Sequence, residues 1–263
     1  MSMSISMVAL GPGAKFSLSA FQQEVRETWP GLPEATDVDK GKGVFMFNLG
    51  TAKVIFGIMP APIPWGDLEG PCATSWLWPD AEEVMRSHKG HMIITVADDE
   101  VDALARIKLL TQITASFVKV CDASVGVYYG DATLVISPEL YREIAVEALP
   151  DEIPLFIWVD FRVGPGDDGK MCGFTHGLTP FGVMEMETVN SPETPGDLRE
   201  RLMDLAGYLI ENGPVIEDGH TVGRDENERI LVSHTDSAFG HEGQVMRLDY
   251  EPAKKKKGWF GRG

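Results

Sequence analysis

The chain of 263 residues carries 40 acidic against 23 basic side chains, a net charge of −17, and 43% of its residues are apolar. That length supports one large domain or two ordinary ones, and so acidic a chain argues against a nucleic acid partner, because few cations are present to displace phosphate counterions. Cys72, Cys121 and Cys172 are widely spaced and form no Cys-x-x-Cys pair, which fits free thiols in a reducing compartment rather than a disulfide framework.

In chain order, residues 3–9 read as a strand, and the N-terminus has neither the basic region nor the long apolar run of a secretory signal, so a cytosolic protein is expected. Ser19 followed by Gln22 forms a capping box for a helix that Pro30-Gly31 ends. Residues 44–48 and 53–58 flank Leu49-Gly50-Thr51 as a hairpin. An irregular stretch follows, with Pro60, Pro62 and Pro64 and the tryptophans Trp65, Trp76 and Trp78. Asp80 caps a helix to His88, and residues 91–97 are a strand. This order, βαββαβ, is that of a ferredoxin-like half.

A helix over residues 100–119 has Val101, Leu104, Ile107, Leu110, Ile113 and Phe117 at helical spacing. The order then restarts. Residues 124–129 are a strand, extended at 133–136, and Ser137-Pro138 opens a helix. Residues 155–163 and 181–189 read as strands, Pro195 opens a further helix, residues 229–234 close a second βαββαβ, and residues 245–250 add an edge strand. Phe56-Gly57-Ile58-Met59 and Phe181-Gly182-Val183-Met184 occupy the same ordinal strand in each run. The expectation is an α+β protein of two ferredoxin-like halves, an internal duplication. Residues 1–98 form the first half, 99–122 a connecting helix, 123–250 the second half, and 251–263 a basic tail.

Chemistry is sparse. Glu185 and Glu187 lie two apart on a strand, so their carboxylates share a face, and Asp160 on the preceding strand could join them in a cluster. The same residues would serve equally on a solvated face. None of the six histidines has a metal-ligand spacing, although His220, in Asp218-Gly219-His220-Thr221-Val222-Gly223, sits in a loop suited to ligand contact. No Gly-x-Ser-x-Gly elbow or phosphate-cradling loop is present. Pro60-Ala61-Pro62-Ile63-Pro64-Trp65 is stiff and extended. With Trp76 and Trp78 it reads either as an aromatic recognition loop or as filling for the interior. No metal, cofactor or catalytic residue is assigned, and no apolar run is long enough to span a membrane.

Setting aside Lys254–Lys257 and Arg262, residues 1–253 hold 18 basic against 40 acidic residues, a net −22. Such a surface either maintains solubility or attracts a basic partner and speeds its encounter. The tail cations suit an anionic membrane surface or the chain's own acids.

The run from Phe174 to Glu187, with Ala206-Gly207-Tyr208-Leu209 and Asp218 to Gly223, resembles the bacterial domain-of-unknown-function family forty-two sixty-one. Pro60 to Pro64 and the stretch from His88 to Val96 extend the likeness over residues 40–236. The resemblance implies a bacterial cytosolic protein and supplies no catalytic residues. By analogy with acidic, non-catalytic bacterial proteins, it points to an immunity or adaptor protein for a toxin or secretion system. The expected function is therefore non-enzymatic binding of a basic protein, with Trp65, Trp76, Trp78, Glu185 and Glu187 in contact. The competing expectation is an enzyme or small-ligand binder using Asp160, Glu185, Glu187 and His220 in a cleft between the halves.

Overall fold

Strand pairing in the computed structural model, which describes residues 2–225 and 228–250, produces one seven-stranded and one six-stranded sheet. Helices accompany both, so the architecture is α+β. The chain forms two compact units. The first holds residues up to Asp160 together with His176–Val183 and Ala206–Gly213, and the second holds Phe161–Thr175, Met184–Leu205 and residues from Pro214 onward.

The first unit comprises β1 (Met3–Leu10), α1 (Leu18–Thr28), β2 (Ala35–Lys40), β3 (Val44–Leu49), β4 (Ala52–Met59), α2 (Trp65–Ala73), α3 (Ala81–Met85), β5 (Gly90–Ala97), α4 (Ala103–Val120), β6 (Ser124–Tyr129), β7 (Leu134–Ile136), α5 (Pro138–Ala148) and α6 (Leu155–Trp158). Ser17, not Ser19, caps α1, its side chain accepting from Ala20 N at 3.3 Å. Asp102 caps α4 in the same way at 2.8 Å, and Ser137 with Pro138 opens α5 as its sequence dictates. The stretch expected to be irregular contains α2, and the helix expected from Asp80 is α3, which ends at Met85 and has no side-chain bond at its cap. The strand β2 carries Asp37, Asp39 and Lys40 and is almost wholly exposed, so no apolar alternation announces it.

The strand order is β2-β3-β4-β5-β1-β6-β7, and every pairing is antiparallel. This corrects the ferredoxin-like expectation. In that fold the third and fourth strands run parallel on either side of the first. Here β4 and β5 are immediate antiparallel neighbours, with Val54 opposite Val96. β6 and β7, expected to begin a second half, instead complete this sheet beside β1. β1 takes that interior place by pairing with β5 along one edge and β6 along the other.

The core face of this sheet is aromatic: Phe16, Phe21, Phe47, Phe56 and Phe117 meet with ring centroids 5.1 to 5.9 Å apart. α4 is buried along Leu110–Phe117, including Thr111, Gln112, Thr114 and Ser116. Its hydroxyls are satisfied by distant partners. Trp29 Nε1 donates to Ser116 at 2.9 Å, Trp158 Nε1 donates to Thr111 at 2.8 Å, and Ser6 and Thr114 lie 2.7 Å apart. A buried indole N–H without such an acceptor would be costly.

The second unit carries β8 (Asp160–Pro165, its first residue in the first unit), β9 (Met171–His176, to Thr175), β10 (Met186–Ser191), α7 (Pro195–Asn212, to Leu205), β11 (Thr221–Val222), β12 (Ile230–Asp236) and β13 (Gln244–Asp249). The order is β11-β12-β13-β10-β9-β8. Residues 155–158, expected in a strand, form α6, because both alternating sets there are apolar and period two cannot be told from a buried turn of helix. Phe181 lies in a 3-10 turn closed by Gly182 at φ 77°, whereas Phe56 lies within β4. The two tetrads are therefore not equivalent. β13 is interior, between β12 and β10, and not at an edge. Gly173 suits the close packing of α7 on β9: a Cβ there would stand 3.1 Å from Arg162 O and 3.2 Å from Leu198 Cδ2, tighter than ordinary contact.

Candidate functional site

The two strand carboxylates are internal. Glu187 is fully buried and receives Arg247 Nε at 3.1 Å, Ser237 Oγ at 2.9 Å and Ala238 N at 2.9 Å. It thus anchors the turn between β12 and β13. Glu185 is 4% exposed, and its Oε2 accepts from Thr175 Oγ1 at 2.8 Å. Contact with a partner, expected for both, is corrected by this burial: neither carboxylate reaches the surface. His220 is exposed, its Nδ1 accepting from Glu217 N at 3.1 Å. Within the second unit, Glu185, Glu187 and His220 each have their own partners. Asp160, 3% exposed, lines a small crevice of the first unit beside Trp76 and Thr74.

The tryptophans divide. Trp65 opens α2 and, with Trp78, packs on a cluster that includes Ile63, Leu68, Met85 and Val135, so both are largely interior. The Arg86 guanidinium lies 3.8 Å over the Trp65 ring. Trp76 is 44% exposed and meets Phe156 edge-on at 5.8 Å. Trp76 is the one of the three presented as a surface contact. The proline segment before Trp65 is held by two of the six histidines, both in a structural role. His88 Nε2 accepts from Ile63 N at 2.8 Å, and His91 Nδ1 donates to Ala61 O at 2.8 Å. Burial pushes the His91 imidazole below its ordinary 6.5, against the opposing pull of its bond to Ala61.

A larger concavity of about 670 Å³ lies where the last turn of α4 meets α5. Val118 and the 41% exposed Val146 supply apolar surface. Asp122, Glu139, Glu143 and Glu147 supply negative charge. Of its two cations, Arg142 is engaged by Glu24 at 2.6 Å, which leaves Lys119. The three glutamates recur every fourth residue and so stack along one side of α5. None forms an ion pair with another described residue. That spacing was legible in the sequence. What was missing was the knowledge that α4 ends beside it. Cys121 lines the same groove but is buried, and burial raises its thiol pKa above the ordinary value, so it is no nucleophile there.

Residues 174–249 match the family model described as a domain of unknown function (DUF4261). The matched segment runs from Phe174 in β9 to the end of β13 and contains Glu185, Glu187 and His220. The groove, the tryptophans and Asp160 lie outside it. No curated protein and no solved structure matches the chain. Among the described residues, no helix is long and apolar enough to cross a membrane, and no group of three or more His, Cys, Asp or Glu is placed to hold a metal ion. Lys254–Lys257 lie outside the described residues.

Proposed function

We propose that the chain is a non-enzymatic binding protein of the bacterial cytosol, of immunity or adaptor type, that receives a cationic segment of a protein partner along the α4–α5 groove. The observation that carries this is the stack of Glu139, Glu143 and Glu147 beside Val118 and Val146. Like charges at this spacing destabilise a helix by about 0.2–0.5 kcal/mol per pair, a cost that a bound lysine- or arginine-rich segment removes. The apolar residues give that segment something to bury, and the overall net charge of −17 speeds the encounter. Charge complementarity of this kind acts mainly on association rate and specificity.

The test is co-purification with the product of a neighbouring bacterial gene at low and high salt, using wild type and a Glu143→Lys/Glu147→Lys double variant. Retention by wild type at low salt, lost in the variant and at high salt, is the expected outcome. A partner held equally by the variant removes the groove from the interface, and the absence of any salt-sensitive partner removes the proposal.

A further inference from the structure

Pro60-Ala61-Pro62-Ile63-Pro64 has only two backbone N–H groups, on Ala61 and Ile63, because proline has none. The Ile63 N–H is received by His88 Nε2. The other ring nitrogen, Nδ1, faces Met85 O, an acceptor, so Nδ1 carries the proton and Nε2 offers a lone pair. Three residues on, His91 donates to Ala61 O. The residue between them on the strand side is Gly90, where a Cβ would come 2.8 Å from Met59 O, so only glycine permits this close approach. Both imidazoles are buried, at 5% and 7% exposure, and Ile63 is 2% exposed. The segment thus fastened forms, with Trp65, Arg86, His88 and Lys89, the wall of a cleft of about 540 Å³.

We propose that His88 and His91 are a proton-operated latch: with both rings neutral the Pro60–Trp65 segment is shut against the core, and a proton on His88 Nε2 releases it. The reason is the direction of one hydrogen bond. A protonated Nε2 is a donor and faces the Ile63 N–H, also a donor, with no acceptor between them. The lining of the cleft offers it no carboxylate. The other charged groups lining the cleft are Arg86 and Lys89, both cations. On α3, Glu82 is held by Arg86 at 2.8 Å. α2 carries Asp67 in its first turn, β5 contributes His91, and the proline segment has no charged side chain. A positive His88 also disfavours a proton on His91, which burial already disfavours. Release exposes Ile63 and remodels the cleft beside Trp65. This device is separate from the α4–α5 groove and does not depend on it.

The experiment is amide hydrogen exchange by NMR on the full chain, comparing protection factors at about pH 7.5 and about pH 5, the range in which histidine charge changes. Wild-type Ile63 is expected to lose protection about tenfold, the scale of one hydrogen bond, while Ile94 in β5 stays protected. His88→Gln supplies a side-chain oxygen that accepts the same N–H and does not titrate, so its Ile63 protection should stay flat. Unchanged wild-type protection, an equal loss in His88→Gln, or a simultaneous loss at Ile94 would each overturn the latch. Should His88→Gln not fold, the wild-type His88 ring ¹⁵N shifts decide the matter: protonation in step with the Ile63 change supports the latch, and protonation out of step refutes it.

Discussion

The first unit keeps its sheet closed with rings and hydroxyls: Phe56 touches Phe16, Phe21, Phe47 and Phe117, and Trp29 and Trp158 reach the hydroxyls of α4. The second unit adds to its apolar core, Leu198, Leu202, Val232 and Leu248 among it, a set of enclosed guanidinium–carboxylate pairs. Arg201, 4% exposed, lies between Glu193 at 2.5 Å and Glu228 at 2.6 Å, with the Tyr250 hydroxyl donating to Glu193 at 2.8 Å. Burial raises the Glu193 pKa, but the bonds from Arg201 and Tyr250 outweigh it and hold the carboxyl below its usual range. The difference separates two ways of specifying a fold. Apolar contact rewards area and tolerates imprecision, whereas a buried ion pair stabilises little in sum yet is costly to leave half-made. The segment that matches a family, residues 174–249, includes most of the ionic unit.

The comparison can be broken at its strongest point first. Phe56→Ala should lower stability by about 3–5 kcal/mol through lost transfer energy and an unfilled cavity. Chemical denaturation reads this directly, and a change under about 1 kcal/mol would mean the ring cluster is not the centre of the first core. Arg201→Met should cost somewhat less, about 2–3 kcal/mol, since Glu193 is left buried without its cation. Adding Glu193→Gln should recover about half of that, because no charge remains stranded. If the double variant is no better than the single, the cost lies in packing and not in charge. The smallest effect is the pH dependence of the first unit. His91 has a folded pKa below its ordinary 6.5, so the folded state binds fewer protons than the unfolded one. Its stabilising contribution is complete above about pH 6.5 and is lost as pH falls from there toward the folded value. Denaturation midpoints at about pH 7.5 and about pH 5.5 should show this decline, reduced in His91→Gln. An identical decline in the variant would assign it to other groups.

Several parts of the candidate sites were within reach of sequence reasoning. The proline segment and Trp65 were recognised, but which tryptophan stays outside was not, because Trp65 and Trp78 are placed by a cluster drawn from α2, α3, β1 and β7. The i, i+4 run of Glu139, Glu143 and Glu147 is a sequence signal in its own right. Glu185 and Glu187 show the reverse. Two acids on a strand suggest a polar face, and only distant partners, Ser237, Ala238 and Arg247, make a buried Glu187 possible.

Local interactions determined most elements without help from the rest of the chain. Ser137-Pro138 starts α5, the spacing from Ile107 to Phe117 makes α4 a helix, and Gly50 turns β3 into β4, because caps, periodicity and turns depend on residues a few positions apart. Tertiary structure alone decided the order of the strands, the helical form of residues 155–158 and the burial of the polar side of α4. Those outcomes rest on pairs such as Met3 with Ala97 and Trp158 with Thr111. Such pairs are brought together by packing and carry no local signal.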